Sequence, residues 1–346
     1  MKHIALSAYL AGLAIVGFDA LWGQMLRSGA AKALGDVRAS GMLPSGDSLR
    51  TEYTGFSSLD RSLVGPVLFY DILMYQQDPV HRDLLLSVFS TMQATSFGML
   101  VTLRGPGRRT WWSIVEFAAW GVFSQAFGAA VSYPLYCLVE VQRHGKYNRS
   151  KSTHDHSERL TFVFTSILVA LMPAWLLYPA FRSCSGATRQ ILIASYRASP
   201  ILLAFIEPAI SNSNRRRSGN DTRSGTNAWL KTSLRISAAF ATAFHIYVIL
   251  DSQQRGHGAL AAVFWPGYTL KDSTRRDFLA QACHLFLQND LIIIVLALVP
   301  YSVFIHGDGL EHRRWSGWLR KTLSLALLSV VASPGAAFTW TLAGVL

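Results

Sequence analysis

A few ionisable residues stand inside the long apolar stretches of this chain, and they could do acid–base chemistry. Glu116 is the first of them. In TWWSIVEFAAWGVFSQ (110–125) it has no Lys, Arg or His within a helical turn. Trp112, Glu116 and Trp120 recur four residues apart and Phe123 and Phe127 continue the row, so all five share one helical face. An unpaired carboxylate is costly in an apolar medium, and desolvation would hold it protonated. Aromatic faces attract cations, most strongly where water is excluded. A protonated acid beside π faces is what a reaction passing through a carbocation needs. The plainer reading is a core glutamate hydrogen-bonded to a Ser or Gln of another segment.

Ionisable residues inside membrane segments mark functional sites by default, and the chain holds several more: Arg197, Glu207, His245, His284 and Asp290. Asp19, Glu140, Arg235 and Asp251 stand near the ends of apolar blocks, where a charge reaches water at small cost. His284 and Gln288 share a face, and Asn289–Asp290 follows in the middle of an apolar block, where it cannot point at lipid. The block around Arg197 carries Pro200 and Pro208, which break backbone bonding and imply a kink beside a cavity or a partner helix. Arg197 would pair there with a carboxylate of another segment or meet an anionic group. Single histidines are more often hydrogen-bonded core residues than ligands, and the His spacing of a zinc site is absent.

Missing motifs narrow the chemistry. No Asp-rich cluster suits Mg²⁺–diphosphate, and no Gly-x-Ser-x-Gly, phosphate loop, dinucleotide fingerprint or haem-attachment motif occurs. Cys137, Cys184 and Cys283 lie far apart, without metal or disulfide spacing. What remains is acid–base chemistry by isolated carboxyls with no cofactor, or transport.

The elements that must position these residues follow from composition. Of 346 residues 51% are hydrophobic and 15% charged, with mean hydropathy +0.26, against about 25% charged in a soluble domain. Apolar blocks at 4–24, 84–103, 111–138, 160–180, 190–211, 231–251, 278–304 and 320–343 each approach or exceed the ~20 residues that cross a bilayer. The expected fold is all-α: one polytopic membrane bundle over 1–346 with about eight spans. The first block, preceded by Lys2 and His3 and containing Asp19, reads as a retained anchor rather than a cleaved signal. A shorter block at 62–75, SLVGPVLFYDILMY, contains Pro66 and Asp71 and fits a re-entrant or interfacial segment. With eight single crossings, one side of the membrane holds about twice as many Lys and Arg as the other, which would place both termini on the outer or lumenal side. The net charge of +12 sits in the connections between apolar blocks, as in membrane proteins, so it argues for no nucleic-acid partner.

The run GFSSLDRSLVGPVLFYD (55–71), then DPVHRD (78–83), and the tryptophan-rich segment with Glu116 resemble fungal membrane-bound meroterpenoid cyclases of the ascochlorin, ascofuranone and macrophorin type. The resemblance implies an endoplasmic-reticulum enzyme of secondary metabolism, of isomerase or lyase type. It would close a farnesyl chain on an aromatic or polyketide core by protonating a terminal epoxide or alkene, without metal. The implied partners are a lipophilic prenylated phenol or polyketide and the membrane lipids.

Individual roles rest on the physical reading and not on the resemblance. Glu116 is the expected general acid. Trp112, Trp120 and Phe123 would stabilise cations, with Arg197 and His284 also contacting substrate. Asp290 or Glu207 would orient the acid or take the final proton, and Asp71 would close the pocket. The rival from another class is a proton-coupled transporter of a small lipophilic compound, in which the same carboxyls relay protons. Transporters often show repeated halves, and none is visible here. A non-catalytic receptor or scaffold would leave the buried acids without a purpose.

Overall fold

In hydrocarbon every backbone polar group must bond within its own segment, so apolar blocks of this length become helices. They do so in the computed structural model, which describes residues 2–103, 110–144, 156–206, 228–267, 275–306 and 315–345. Among the described residues the only strand-like feature is an isolated bridge between Met42 and Ser48.

Helix α1 (Lys2–Phe18) passes through one π turn, Asp19–Gly23, into α2 (Gln24–Arg27), and α3 (Ala30–Ser40) follows. Next come α4 (Ser57–Met74), α5 (Pro79–Leu103), α6 (Thr110–Phe127), α7 (Ala129–His144), α8 (His156–Phe181) and α9 (Gly186–Tyr196). The chain continues through α10 (199–206), α11 (Ala228–Gln254), α12 (Ala259–Phe264), α13 (Arg275–Ile305), α14 (Trp315–Ala332) and α15 (Pro334–Val345). Among the described residues five helices are long and apolar enough to cross a membrane: His3–Arg27, Pro79–Leu103, Thr161–Phe181, Ala228–Gln254 and Asp277–Ile305. Helix α5 is central, packed against α8, α11, α13 and α15, while α1 lies on α7 and α13.

Three of the eight expected spans are not single helices. The block 111–138 folds back on itself at Gly128, whose φ of +94° favours a residue without Cβ. The Glu116–Arg143 ion pair and the edge-to-face contact of Trp120 with Tyr136, 5.8 Å between centroids, make α6 and α7 an antiparallel hairpin. The block 320–343 turns at Ser333 (φ +96°), whose hydroxyl accepts the Ala336 N–H at 3.1 Å and so starts α15. The block 190–211 breaks at Arg197–Ala198 in a tight turn, with Arg197 N–H donating to Ala194 O and Ala198 N–H to Ser195 O, both at 3.1 Å. Pro200 then sits in the first turn of α10, where its missing N–H costs nothing. Hydropathy cannot see these breaks because both arms of each are apolar. The segment 62–75 is the larger part of the 18-residue α4, with Pro66 inside it.

The hairpins also overturn the expected topology. His3 meets Phe304, Ser113 Oγ donates to Leu103 O, Arg143 holds Glu116, Phe205 meets Trp111, and Gly344 lies beside His306. These contacts gather the start of α1 and the ends of α5, α7, α10, α13 and α15 at one end of the bundle. Eight single crossings would have put the 104–109 and 145–155 connections on opposite sides, so the charge bias calculated that way does not carry over.

Gly128 offers a direct test of the α6–α7 turn. A Cβ there would stand 2.5 Å from Leu21 Cδ1, and left-handed backbone costs an L-residue about 1–2 kcal/mol. Gly128→Ala is therefore expected to lower the melting temperature of the detergent-purified protein; an unchanged melting temperature would mean that the turn tolerates a side chain.

Candidate active site

Helix α7 starts abruptly after Gly128, so its first N–H groups have no partner inside the helix. Asp290 of α13 supplies one. It is 3% exposed, its Oδ1 accepts the Ala130 N–H at 2.5 Å, and the Ala129 N–H also reaches its carboxyl. The partial positive charge of a helix N-terminus favours a carboxylate at this place. The neighbouring polar residues do similar work. Gln288 Nε2 donates to Ala262, Val263 and Trp265 carbonyls at 2.8, 3.1 and 3.1 Å, which closes the end of α12. Asn289 Nδ2 donates to Ala20 O at 3.3 Å and Gln24 Oε1 at 3.1 Å, beside the π turn after α1. From one turn of α13 the Gln-Asn-Asp triplet thus answers two open helix ends and a π turn.

Asp290 faces an aromatic interior. Tyr70 has both Asp290 and Arg197 among its electrostatic neighbours, and Tyr133 has Asp290 and Tyr196. Phe286 packs edge-on against Phe69 at 5.2 Å and Trp22 at 5.6 Å, and Phe89 against Tyr196 at 5.6 Å. Phe69, Tyr70 and Arg197 lie deep in the bundle yet are only half-buried, so they line an internal cavity.

Arg197 enters this cavity from the α9–α10 break. It donates through Nη2 to Gln125 O on α6, and among the described residues no carboxylate pairs with it. Gln125 Nε2 reaches Ser199 Oγ at 3.4 Å, and Gln93 Nε2 donates to the Tyr196 hydroxyl.

The other expected site residues lie elsewhere. Glu116 is not unpaired: Arg143, 27 residues away, binds it, and Arg143 also reaches Glu140 at 3.1 Å. Trp120 Nε1 lies 3.4 Å from Glu116 Oε1, so the tryptophan donates to the acid instead of caging a cation above it. Trp112 is 63% exposed and turns outward. Phe123 packs on Trp120 at 6.1 Å and Phe127 at 4.8 Å. His284 has both ring nitrogens engaged, with His81 Nδ1 at 2.9 Å and with Ala262 O at 2.9 Å, which leaves it a positioning role. Asp71 is locked to Arg189, itself held by Asp47 at 3.0 Å. His245 spans Ser87 Oγ at 3.2 Å and Val330 O at 2.9 Å. Glu207 lies outside the described residues. Of the expected set, the structure brings Asp290 and Arg197 together around Tyr70.

Sequence reasoning missed Tyr70, Gln93, Tyr133 and Tyr196. Two signals stood beside residues already noticed: Tyr196 precedes Arg197, and Tyr70 precedes Asp71. Among the described residues, no three His, Cys, Asp or Glu side chains converge where a metal ion could sit. With Arg143 neutralising it, Glu116 is expected to be dispensable for chemistry: Glu116→Gln should retain most of the activity of detergent-purified protein, and an inactive but folded variant would return it to the mechanism.

The CtvD-domain model matches residues 6–343. This chain belongs to the CtvD-domain family. Three named relatives agree in kind. "Terpene cyclase alnG" of Emericella nidulans is 30% identical over 97% of this chain and 92% of its own length. "Terpene cyclase DEP1" of Fusarium langsethiae is 27% identical, and that of Alternaria brassicicola 24%, each over 97% of this chain and 96% of the relative. No solved structure matches. The resemblance to fungal terpene cyclases read from 55–71, 78–83 and the tryptophan-rich segment is borne out, and this CtvD-family chain covers its relatives almost end to end.

Proposed function

We propose that this CtvD-family chain is a membrane-bound terpene cyclase, seated in the endoplasmic reticulum, that closes the farnesyl-type chain of a meroterpenoid. It protonates a terminal epoxide or alkene and uses no metal. The observation that carries the reading is Asp290, a buried carboxyl on the N-terminus of α7 among aromatic rings and in electrostatic reach of the half-buried Tyr70.

In this mechanism Asp290 gives its proton to the epoxide oxygen or the alkene carbon. The epoxide C–O bond or the alkene π bond breaks, and positive charge appears at the more substituted carbon. A second double bond of the chain attacks that carbon and the ring closes. The final cation loses a proton to a carboxylate, so the product is an isomer of the substrate and no electrons are exchanged. The Ala129 and Ala130 N–H groups stabilise the carboxylate left after the first transfer, as fixed dipoles do at any site where charge develops. Phe69 offers a π face to the migrating cation, and Phe286 packs edge-on behind it.

The test is to express the chain in yeast microsomes and supply a farnesylated phenol or its terminal epoxide, with and without EDTA. A cyclised product of unchanged mass, formed equally under chelation, is expected, because a carboxylic acid needs no Lewis acid to deliver its proton. Activity lost in EDTA and restored by Mg²⁺ would replace this mechanism with ionisation at a metal.

A further inference from the structure

We infer that Arg197 binds an acidic oxygen on the non-isoprenoid head of the substrate, a carboxylate or an ionised phenol or enol, and so sets which end of the molecule faces Asp290. The inference rests on the cyclase reading of the same cavity.

A guanidinium carries five N–H donors and is always charged. Within the described residues Arg197 uses Nη2 for one bond, to Gln125 O, and meets no carboxylate. A buried charge without a counter-charge is costly, and among the described residues the buried Arg189 and the partly buried Arg255 are both paired. Arg189 holds Asp71 and Asp47, and Arg255 holds Asp83 and Asp251. Arg255 Nη1 is sealed away without a partner, whereas no nitrogen of Arg197 is sealed in that way. Its unused donors therefore remain accessible beside the half-buried Tyr70, which also has Asp290 among its electrostatic neighbours.

The backbone presents the side chain deliberately. Arg197 stands at the break between α9 and α10, where two tight turn bonds replace the regular helix pattern. Gln125 and Ser199 bond each other beside it, and Tyr196 is held by Gln93, so the guanidinium approaches from a rigid rim. An apolar terpene tail has no acceptor for such a group. An acidic oxygen on the aromatic or polyketide head does, and the bond it forms is charge-assisted and geometrically fixed.

Binding can be separated from turnover with unreactive analogues whose farnesyl chain is fully hydrogenated. One pair is the alkylated benzoic acid and its methyl ester; a second is the alkylated resorcinol and its methyl ether. Affinity is read by tryptophan fluorescence on the full chain purified in detergent. In the wild type, methylation within at least one pair should weaken binding by roughly tenfold to a hundredfold, the size of a hydrogen bond to a charged group, and that pair identifies the oxygen. Arg197→Gln can still donate to Gln125 O and should bind both members of the pair alike. Arg197→Lys keeps the charge and should retain part of the discrimination, which also serves if the Gln variant does not fold. Equal affinities within both pairs in the wild type, or discrimination that survives in Arg197→Gln, would overturn the assignment. The cyclase reading is judged separately by whether any farnesylated substrate is isomerised at all.

Discussion

Replacing Asp290 by Asn is expected to lower product formation by more than ~100-fold, the lower end for general acid catalysis, while the protein remains folded in detergent. Asn keeps an oxygen where Asp290 Oδ1 now accepts the Ala130 N–H, so the start of α7 stays capped. What Asn lacks is a transferable proton. Asp290→Ala removes both and should also lower the melting temperature, since an uncapped helix start costs roughly 0.5–2 kcal/mol. The two variants separate the roles of the carboxyl. If Asp290 only caps α7, Asn will be nearly as active as the wild type and Ala will be unstable. If it is the acid, both will be inactive and only Ala will be unstable. An active Asp290→Asn enzyme would remove this residue from the chemistry.

The second large effect is on stability. Asp71→Ala is expected to cost about 3–5 kcal/mol, the penalty for stranding one partner of a buried ion pair. Asp71 is fully buried, and both of its oxygens are held by Arg189, one of them at 3.3 Å from Nη2. Against a typical total of 5–15 kcal/mol, such a loss should collapse the monodisperse peak in size-exclusion chromatography of the solubilised protein. Arg189→Ala should do the same. The double variant Asp71→Leu with Arg189→Met should recover much of the loss, because a packed apolar pair can replace a buried ionic one. A pocket-closing acid predicts the reverse: Asp71→Ala would be stable and inactive, and no change at Arg189 would rescue it. The pair joins α4 to α9 and, through Asp47, ties down the 41–49 turn beside them.

Composition and hydropathy were enough to determine an all-helical chain made of long apolar segments, because backbone groups in hydrocarbon have no other way to be satisfied. The sequence also marked Asp290 and Arg197. A charged residue inside a long apolar block is costly wherever it ends up, so its presence implies a purpose before any contact is known. The family was legible for a similar local reason, in continuous runs such as 55–71 and 78–83. Partners distant in sequence were not legible. Glu116 was read as isolated from its own helical turn, yet its counter-charge is Arg143, delivered across a hairpin that turns at Gly128 inside one apolar block. Asp71 and Arg189 are 118 residues apart, and His81 and His284 are 203 apart. Helical periodicity specifies which side chains share a face; which faces meet is decided by packing between helices, through turns at Gly128, Arg197 and Ser333. That is why only the tertiary structure could show Glu116 paired with Arg143 and Asp290 set on a helix end among aromatic rings, the arrangement on which the proposed acid rests.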